Sequence, residues 1–179
     1  MILQKDILNG SEILERELIQ HTLAPVYDEN SEILILGTMP SPKSRENGFY
    51  YGHPQNRFWR VLSEVLNEPL PKSNEEKKAM LLMHHIALWD VLKSCTIEGA
   101  DDSSIKDPEP NDIASLIEKT NIRYIFTTGT KAYSLYNRYC KSKTGINAIP
   151  LPSTSPANRR YYNDEDVLKE YSVLLAYMG

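Results

Sequence analysis

Four apolar runs of strand length alternate along this chain with segments of helical spacing. Residues 33–36 (Ile-Leu-Ile-Leu) contain no polar position, which suits a strand buried on both faces of a parallel sheet. Residues 86–89, 123–127 and 146–151 are the other expected strands. Phe58, Val61, Leu62, Val65 and Leu66 recur at i, i+3, i+4, i+7 and i+8, the spacing of one buried helix face. A first helix is expected from Ser11 through Ile13, Leu14 and Leu18, and Ser73-x-x-Glu76 reads as a capping box that opens a helix toward Met83. Asn111 or Asp112 starts a further helix with Ile113, Leu116 and Ile117 facing inward, and residues 130–140 form the next. Asp164 caps a last amphipathic helix carrying Val167, Leu168, Tyr171, Leu174 and Leu175. Residues 98–110, rich in Asp, Ser and Pro, read as a surface loop. This rhythm predicts a single α/β domain of three layers: a central, mostly parallel four-stranded sheet with helices on both faces.

At 179 residues the chain can bury a substantial core without disulfides. Its two cysteines, Cys95 and Cys140, lie far apart without ligand-like spacing, so neither a disulfide framework nor an iron–sulfur cluster is indicated. No apolar run approaches a bilayer span, and no basic segment precedes an apolar one at the N-terminus, which predicts a cytoplasmic protein. The net charge of −4 hides an uneven distribution. Between Lys119 and Asn163 there are eight basic residues and no acidic one, and residues 37–60 add Lys43, Arg45, Arg57 and Arg60 against Glu46 alone. Such a basic region on an acidic chain is what a phosphate-tracking face needs.

Residues 37–59, GTMPSPKSRENGFYYGHPQNRFW, leave the first apolar run through Gly37 and Pro40. Ligands of open α/β sheets bind at the carboxyl ends of the strands, so aromatics, amides, a histidine and arginines in this place mark a candidate site. Phe49, Tyr50 and Tyr51 offer stacking surfaces, although an aromatic triplet also serves as core. Asn56 can orient a water or cap the helix that follows. Adjacent His84 and His85 do not suggest a metal site, Trp89 reads as core, and Trp59 reads as a brace for the loop.

The GxxPS pattern followed by YGHPQNRFW resembles motif 1 and its extension in the uracil-DNA glycosylase superfamily, within it the mismatch-specific and hypoxanthine-excising branches. Residues 151–158, LPSTSPAN, resemble the Pro-Ser loop that this superfamily places in the minor groove. The resemblance implies a uracil-DNA glycosylase-like fold and hydrolysis acting on DNA with deaminated bases; an oriented water needs no cofactor or metal, and a monomer is the default. It implies base contacts from Gly37, Thr38, Met39, Phe49, Tyr50 and Tyr51, and DNA contacts from Ser41, Ser153, Ser155, Asn158, Arg159 and Arg160. Met39 stands where most branches carry a water-positioning Asp or Asn, and Leu151 where uracil-specific relatives carry His. Both departures imply the hypoxanthine-excising branch, with Asn56 as the main catalytic residue and His53 assisting departure of the base. Two alternatives stay open: excision of uracil or of a mismatched pyrimidine, and a catalytically silent module that binds damaged or single-stranded DNA.

Overall fold

The computed structural model describes residues 16–179. The chain opens with β1 (Glu17–Gln20), β2 (Ile33–Gly37), the short α1 (Pro42–Asn47), α2 (Phe58–Val65) and α3 (Asn74–Met83). β3 (Ile86–Asp90), β4 (Leu92–Glu98), β5 (Asp101–Pro110), α4 (Ile113–Glu118), β6 (Tyr124–Thr128) and α5 (Thr130–Tyr139) follow. The chain closes with α6 (Lys141–Thr144), β7 (Ala148–Leu151), a 3-10 turn over Pro156–Asn158, α7 (Asp164–Tyr171) and a 3-10 segment over Ser172–Tyr177.

The central sheet has the order β3-β2-β6-β7, with all three pairings parallel. Its inner strand β2 is buried at every position, and the two faces serve different layers. Ile33 and Ile35 pack with Phe58 and Leu62 of α2, Met80 and Leu81 of α3, and Val167 and Tyr171 of α7. Leu34 and Leu36 pack with Ile113 and Leu116 of α4, Ala132 and Leu135 of α5, and Ile19, Cys95 and Ile97. An apolar run without alternation is what two buried faces require.

Ile19, Cys95 and Ile97 belong to a second sheet, antiparallel and in the order β1-β4-β5, which the sequence pattern did not suggest. Two expectations change with it. Ser11, Ile13 and Leu14 lie outside the described residues, whereas Leu18 sits in strand β1, not in a helix. There it is 67% exposed while its neighbour Ile19 is buried, the alternation of a strand with one covered face. Residues 98–110 are not a loop, because all but the turn pair Gly99 and Ala100 and the last residue of β4 form β5. Their Asp, Ser and Pro content suits an edge strand, where a proline forfeits no ladder bond, and the β4–β5 register is correspondingly irregular. Gly99, at φ +57, leads the two-residue turn between the paired Glu98 and Asp101.

Helix ends follow local chemistry. Ser73 accepts from the Glu76 N–H at 3.1 Å, but the Glu76 carboxylate accepts from the Lys72 N–H at 2.6 Å, so only one arm of the expected capping box forms. The full box appears at α7, where Asn163 is the cap and Asp166 its reciprocal partner; Asp164 is the first helical residue. Val167, Tyr171 and Leu174 face the core as expected, but α7 tightens into 3-10 geometry after Tyr171 and turns Leu175 to solvent. Trp59 donates Nε1–H to the Tyr50 carbonyl at 3.0 Å and so braces the loop before it. No helix among the described residues is long and apolar enough to cross a membrane.

Leu34 is fully buried against the second layer. Leu34→Ala is expected to destabilise the fold by about 2–5 kcal/mol, measured as a lower urea midpoint with an unchanged m-value.

Candidate active site

β2, β3 and β6 end at one edge of the sheet in Gly37, Asp90 and Thr128, and these residues floor a cavity of about 330 Å³. Parts of the segment 38–56 and residues 153–157 form two of its walls, and Ile97, Gly99, Ala100 and Asp102 of the β4–β5 hairpin form a third. Gly37 is the point of closest approach: a methyl group on it would stand 2.5 Å from Asp90 Oδ1 and 3.1 Å from the Tyr51 hydroxyl. Asp90 is buried, and its other oxygen, Oδ2, lies 2.7 Å from Nε2 of the equally buried His21.

Tyr51 adopts φ +52, a conformation that non-glycine residues rarely hold unless their surroundings fix it. Here its hydroxyl lies 2.9 Å from Thr128 Oγ1, and its ring stacks on Phe58 with centroids 3.9 Å apart and planes at 14°. One ring face is thus taken by the core. Burial, with Asp90 adding to it, pushes the phenols of Tyr50 and Tyr51 well above their ordinary value, so both stay protonated. Asn56 Oδ1 accepts from the Phe58 N–H at 2.9 Å, which fixes the orientation of the amide. His53 Nδ1 accepts from the Gln55 N–H at 3.1 Å, so the neutral ring carries its proton on Nε2.

The two sequence segments are joined beneath the cavity by Arg57. Its N–H donates to the Thr154 carbonyl at 3.2 Å, and its fully buried guanidinium donates to the Tyr162 carbonyl at 2.7 Å. Asp164 lies near three arginines at once, Arg57 at 3.3 Å, Arg60 at 2.9 Å and Arg159 at 3.4 Å. The basic region is therefore partly self-neutralised, with a surplus of positive charge left at this carboxylate.

A family model described as the uracil DNA glycosylase superfamily matches residues 24–175. The chain belongs to this superfamily. A protein from Methanosarcina acetivorans named hypoxanthine DNA glycosylase is 40% identical over 151 residues, covering 83% of this chain and 94% of that one. A second of the same name, from Methanosarcina barkeri, is 40% identical over 140 residues, covering 76% and 86%. A solution NMR structure from Methanosarcina acetivorans, carrying a provisional uracil DNA glycosylase assignment, superposes with a TM-score of 0.77 at 35% identity, covering 90% of this chain and 99% of that one. The glycosylase fold expected from the two motifs is the fold found.

Of the residues singled out from the sequence, Gly37, Thr38, Met39, Ser41, Tyr50, Tyr51, His53, Asn56, Ser153 and Ser155 all line the one cavity. Phe49 does not line it; it packs edge-on against Tyr50 and tilts against Trp59 as part of the core. Tyr50 presents a wall rather than a free hydroxyl, because its phenol donates to the Ala24 carbonyl at 2.8 Å. Ser153 and Ser155 accept from the N–H groups two residues on and so shape their own turns, at 3.2 and 3.4 Å. Asn158, Arg159 and Arg160 lie beyond the cavity: Asn158 donates to the Ser153 carbonyl, Arg159 reaches Gln55 and Asp164, and Arg160 lies over the Tyr161 ring. Sequence reasoning missed Asp90, His21, Thr128 and Asp102. Asp90 carried a usable signal, since it is the first polar residue after the apolar run 86–89, as Gly37 is the first non-apolar-run residue after 33–36. His21 carried none, because it reaches the site from the unforeseen antiparallel sheet.

Although Asp102 opens to solvent at the rim, the surrounding walls raise its carboxyl from 3.8 to about 6. Burial is the largest cause; the Thr38 hydroxyl opposes it and Asp90 adds to it. A folded-state value above the unfolded one means that the folded protein holds the proton more tightly, so this group's contribution to stability falls as pH rises from 3.8 to about 6. Asp102→Asn is expected to raise the thermal midpoint above pH 6 and to leave it nearly unchanged below 3.8, read from melts across that range.

Proposed function

We propose that this chain is a monofunctional DNA glycosylase that hydrolyses the N-glycosidic bond of deoxyinosine, releasing hypoxanthine and leaving an abasic site. The observation that carries the proposal is the meeting of the segments 37–56 and 153–157, distant in sequence, around a single cavity at the strand ends. The two relatives named hypoxanthine DNA glycosylase support the choice of base.

A base enters such a cavity only after it has been turned out of the duplex, which costs a few kcal/mol of stacking and pairing. Tyr51 recovers part of that cost by offering the purine the edge and face left free by Phe58, while the Gly37, Thr38 and Met39 backbone approaches the base closely. Asn56 orients the attacking water. Its Nδ2–H donates to the water oxygen, and the Oδ1 lone pair not used by the Phe58 N–H accepts a water proton. The water then presents its free lone pair to C1′. With an oxocarbenium-like sugar at the transition state, this orientation matters more than deprotonation before attack. As the C1′–N9 bond breaks, its electron pair passes to the purine and the water oxygen bonds C1′; the proton that the water loses passes to solvent, and the purine takes one up to leave as neutral hypoxanthine. His53 donates Nε2–H toward the charge that builds on the departing ring. Ser41, Ser153 and Ser155 supply hydroxyls to the flanking phosphates, and Asn158, Arg159 and Arg160 face the duplex beyond the cavity. No metal, cofactor or lysine adduct is needed by these steps, and a monomer suffices for them.

The test is single-turnover cleavage of two duplexes that differ only in carrying deoxyinosine or deoxyuridine, with alkali revealing abasic sites. Release of hypoxanthine is expected from the native chain, with Asn56→Ala slower by about 100-fold or more. Preferential uracil release would overturn the base assignment, and DNA binding without release of either base would mark a binding module.

A further inference from the structure

The His21–Asp90 pair has no part in orienting water or in binding phosphate, yet it places a carboxylate oxygen on the cavity floor. Both side chains are buried, at 2% and 5% exposure, and the Nε2–Oδ2 separation is 2.7 Å. Neither residue is free to wander. The His21 N–H donates to the Lys93 carbonyl at 2.7 Å, Asp90 is in register with Gly37 on the neighbouring strand, and its carbonyl accepts from Asn111 Nδ2 at 2.9 Å. The second oxygen, Oδ1, lies in the space left by the missing side chain of Gly37 and accepts no hydrogen bond from any described residue.

We infer that His21 is a positioning residue for base selection: by holding Asp90 through Oδ2 it leaves Oδ1 as an acceptor-only reader of a ring N–H. This deepens the deoxyinosine reading and rests on it. The proton shared along the Nε2–Oδ2 line sits on the histidine or on Oδ2, and in either arrangement Oδ1 carries none. Deamination makes the change that such an oxygen detects. Adenine presents a lone pair at N1, and cytosine one at N3; hypoxanthine and uracil present N–H at the same atoms. A bare carboxylate oxygen pairs with the N–H and opposes the lone pair. An asparagine could satisfy either, because its amide both donates and accepts. A buried site that must be satisfied by one donor rejects a base lacking it more strongly than loss of contact alone would suggest. Guanine also carries N1–H, so this pair does not discriminate against it.

The test compares single-turnover release from two duplexes, one with deoxyinosine and one with 2′-deoxynebularine, whose purine has an N1 lone pair and no 6-oxo group. The loss of the 6-oxo group affects every variant alike, so the ratio of the two rates isolates the N1 contact. The native chain is expected to favour deoxyinosine strongly. Asp90→Asn, isosteric and able to donate to N1, is expected to shrink that ratio at least tenfold. His21→Ala, which frees the Asp90 carboxyl to turn away from the base, is expected to shrink it by a similar factor, and His21→Gln to restore most of it. Combining His21→Ala with Asp90→Asn should add little to either change, since both act through one oxygen. Folding of each variant is checked by circular dichroism, and Asp90→Asn carries the test if His21→Ala does not fold. If folded variants slow both substrates equally and leave the ratio unchanged, the pair is structural and the inference is overturned. A changed ratio in Asp90→Asn with an unchanged one in His21→Ala overturns the role of His21. Absence of hypoxanthine release by the native chain would instead remove the deoxyinosine reading beneath it.

Discussion

A methyl group at position 37 would stand 2.5 Å from Asp90 Oδ1, so the polar ends of three parallel strands can converge only if this residue has no side chain. Gly37 ends β2, Asp90 ends β3 and Thr128 ends β6, and Tyr51 reaches across them from the loop that follows. Everything chemical in the cavity is arranged around that gap. The apolar strands beneath are buried on both faces and hold the three ends in register, which turns packing energy into positional precision at the edge. Tyr51 in a left-handed conformation is the local cost of this arrangement, and its Phe58 stack and Thr128 contact hold it there.

Electrostatics in the site are less one-sided than the run of basic residues suggests. Asp164 is shared by Arg57, Arg60 and Arg159, and the buried Arg57 fastens the loop after β2 to the loop after β7. Its charge therefore serves the architecture. On the opposite wall the β4–β5 hairpin brings Asp102 close to Asp90, so two acids share one cavity. In the proposed reaction a carboxylate on the floor faces a polar base edge, and phosphates are met further out at the serines and arginines.

The parallel sheet and most of its helices were legible because each strand is a short apolar run and each helix has one apolar face at the right spacing. The loop after residue 36 was legible as a site because of where it leaves the sheet and what it carries. The antiparallel sheet was not legible. β5 is a polar edge strand full of turn formers, and it pairs irregularly, so its local composition argues for a loop while its pairing with β4 makes it a strand. Leu18 gave the same difficulty in reverse, as an apolar residue that the strand turns outward. Phe49 looked like Tyr50 and Tyr51 in sequence, and only the packing against Trp59 separates it from them. His21 could not have been assigned at all, since its partner lies 69 residues away on another sheet.

We propose that a deaminated purine is hydrolysed in the cavity bounded by Gly37, Tyr51, Asn56 and Asp90. The most direct measurement is a crystal structure of the chain with a duplex carrying a 2′-fluoro-arabino deoxyinosine, which resists hydrolysis. The hypoxanthine ring is expected to be turned out of the helix and to lie against Tyr51, with N1 toward Asp90 Oδ1 and C1′ within reach of a water on Asn56. A hypoxanthine that remains stacked in the duplex, or that is bound away from the ends of β2, β3 and β6, would contradict it.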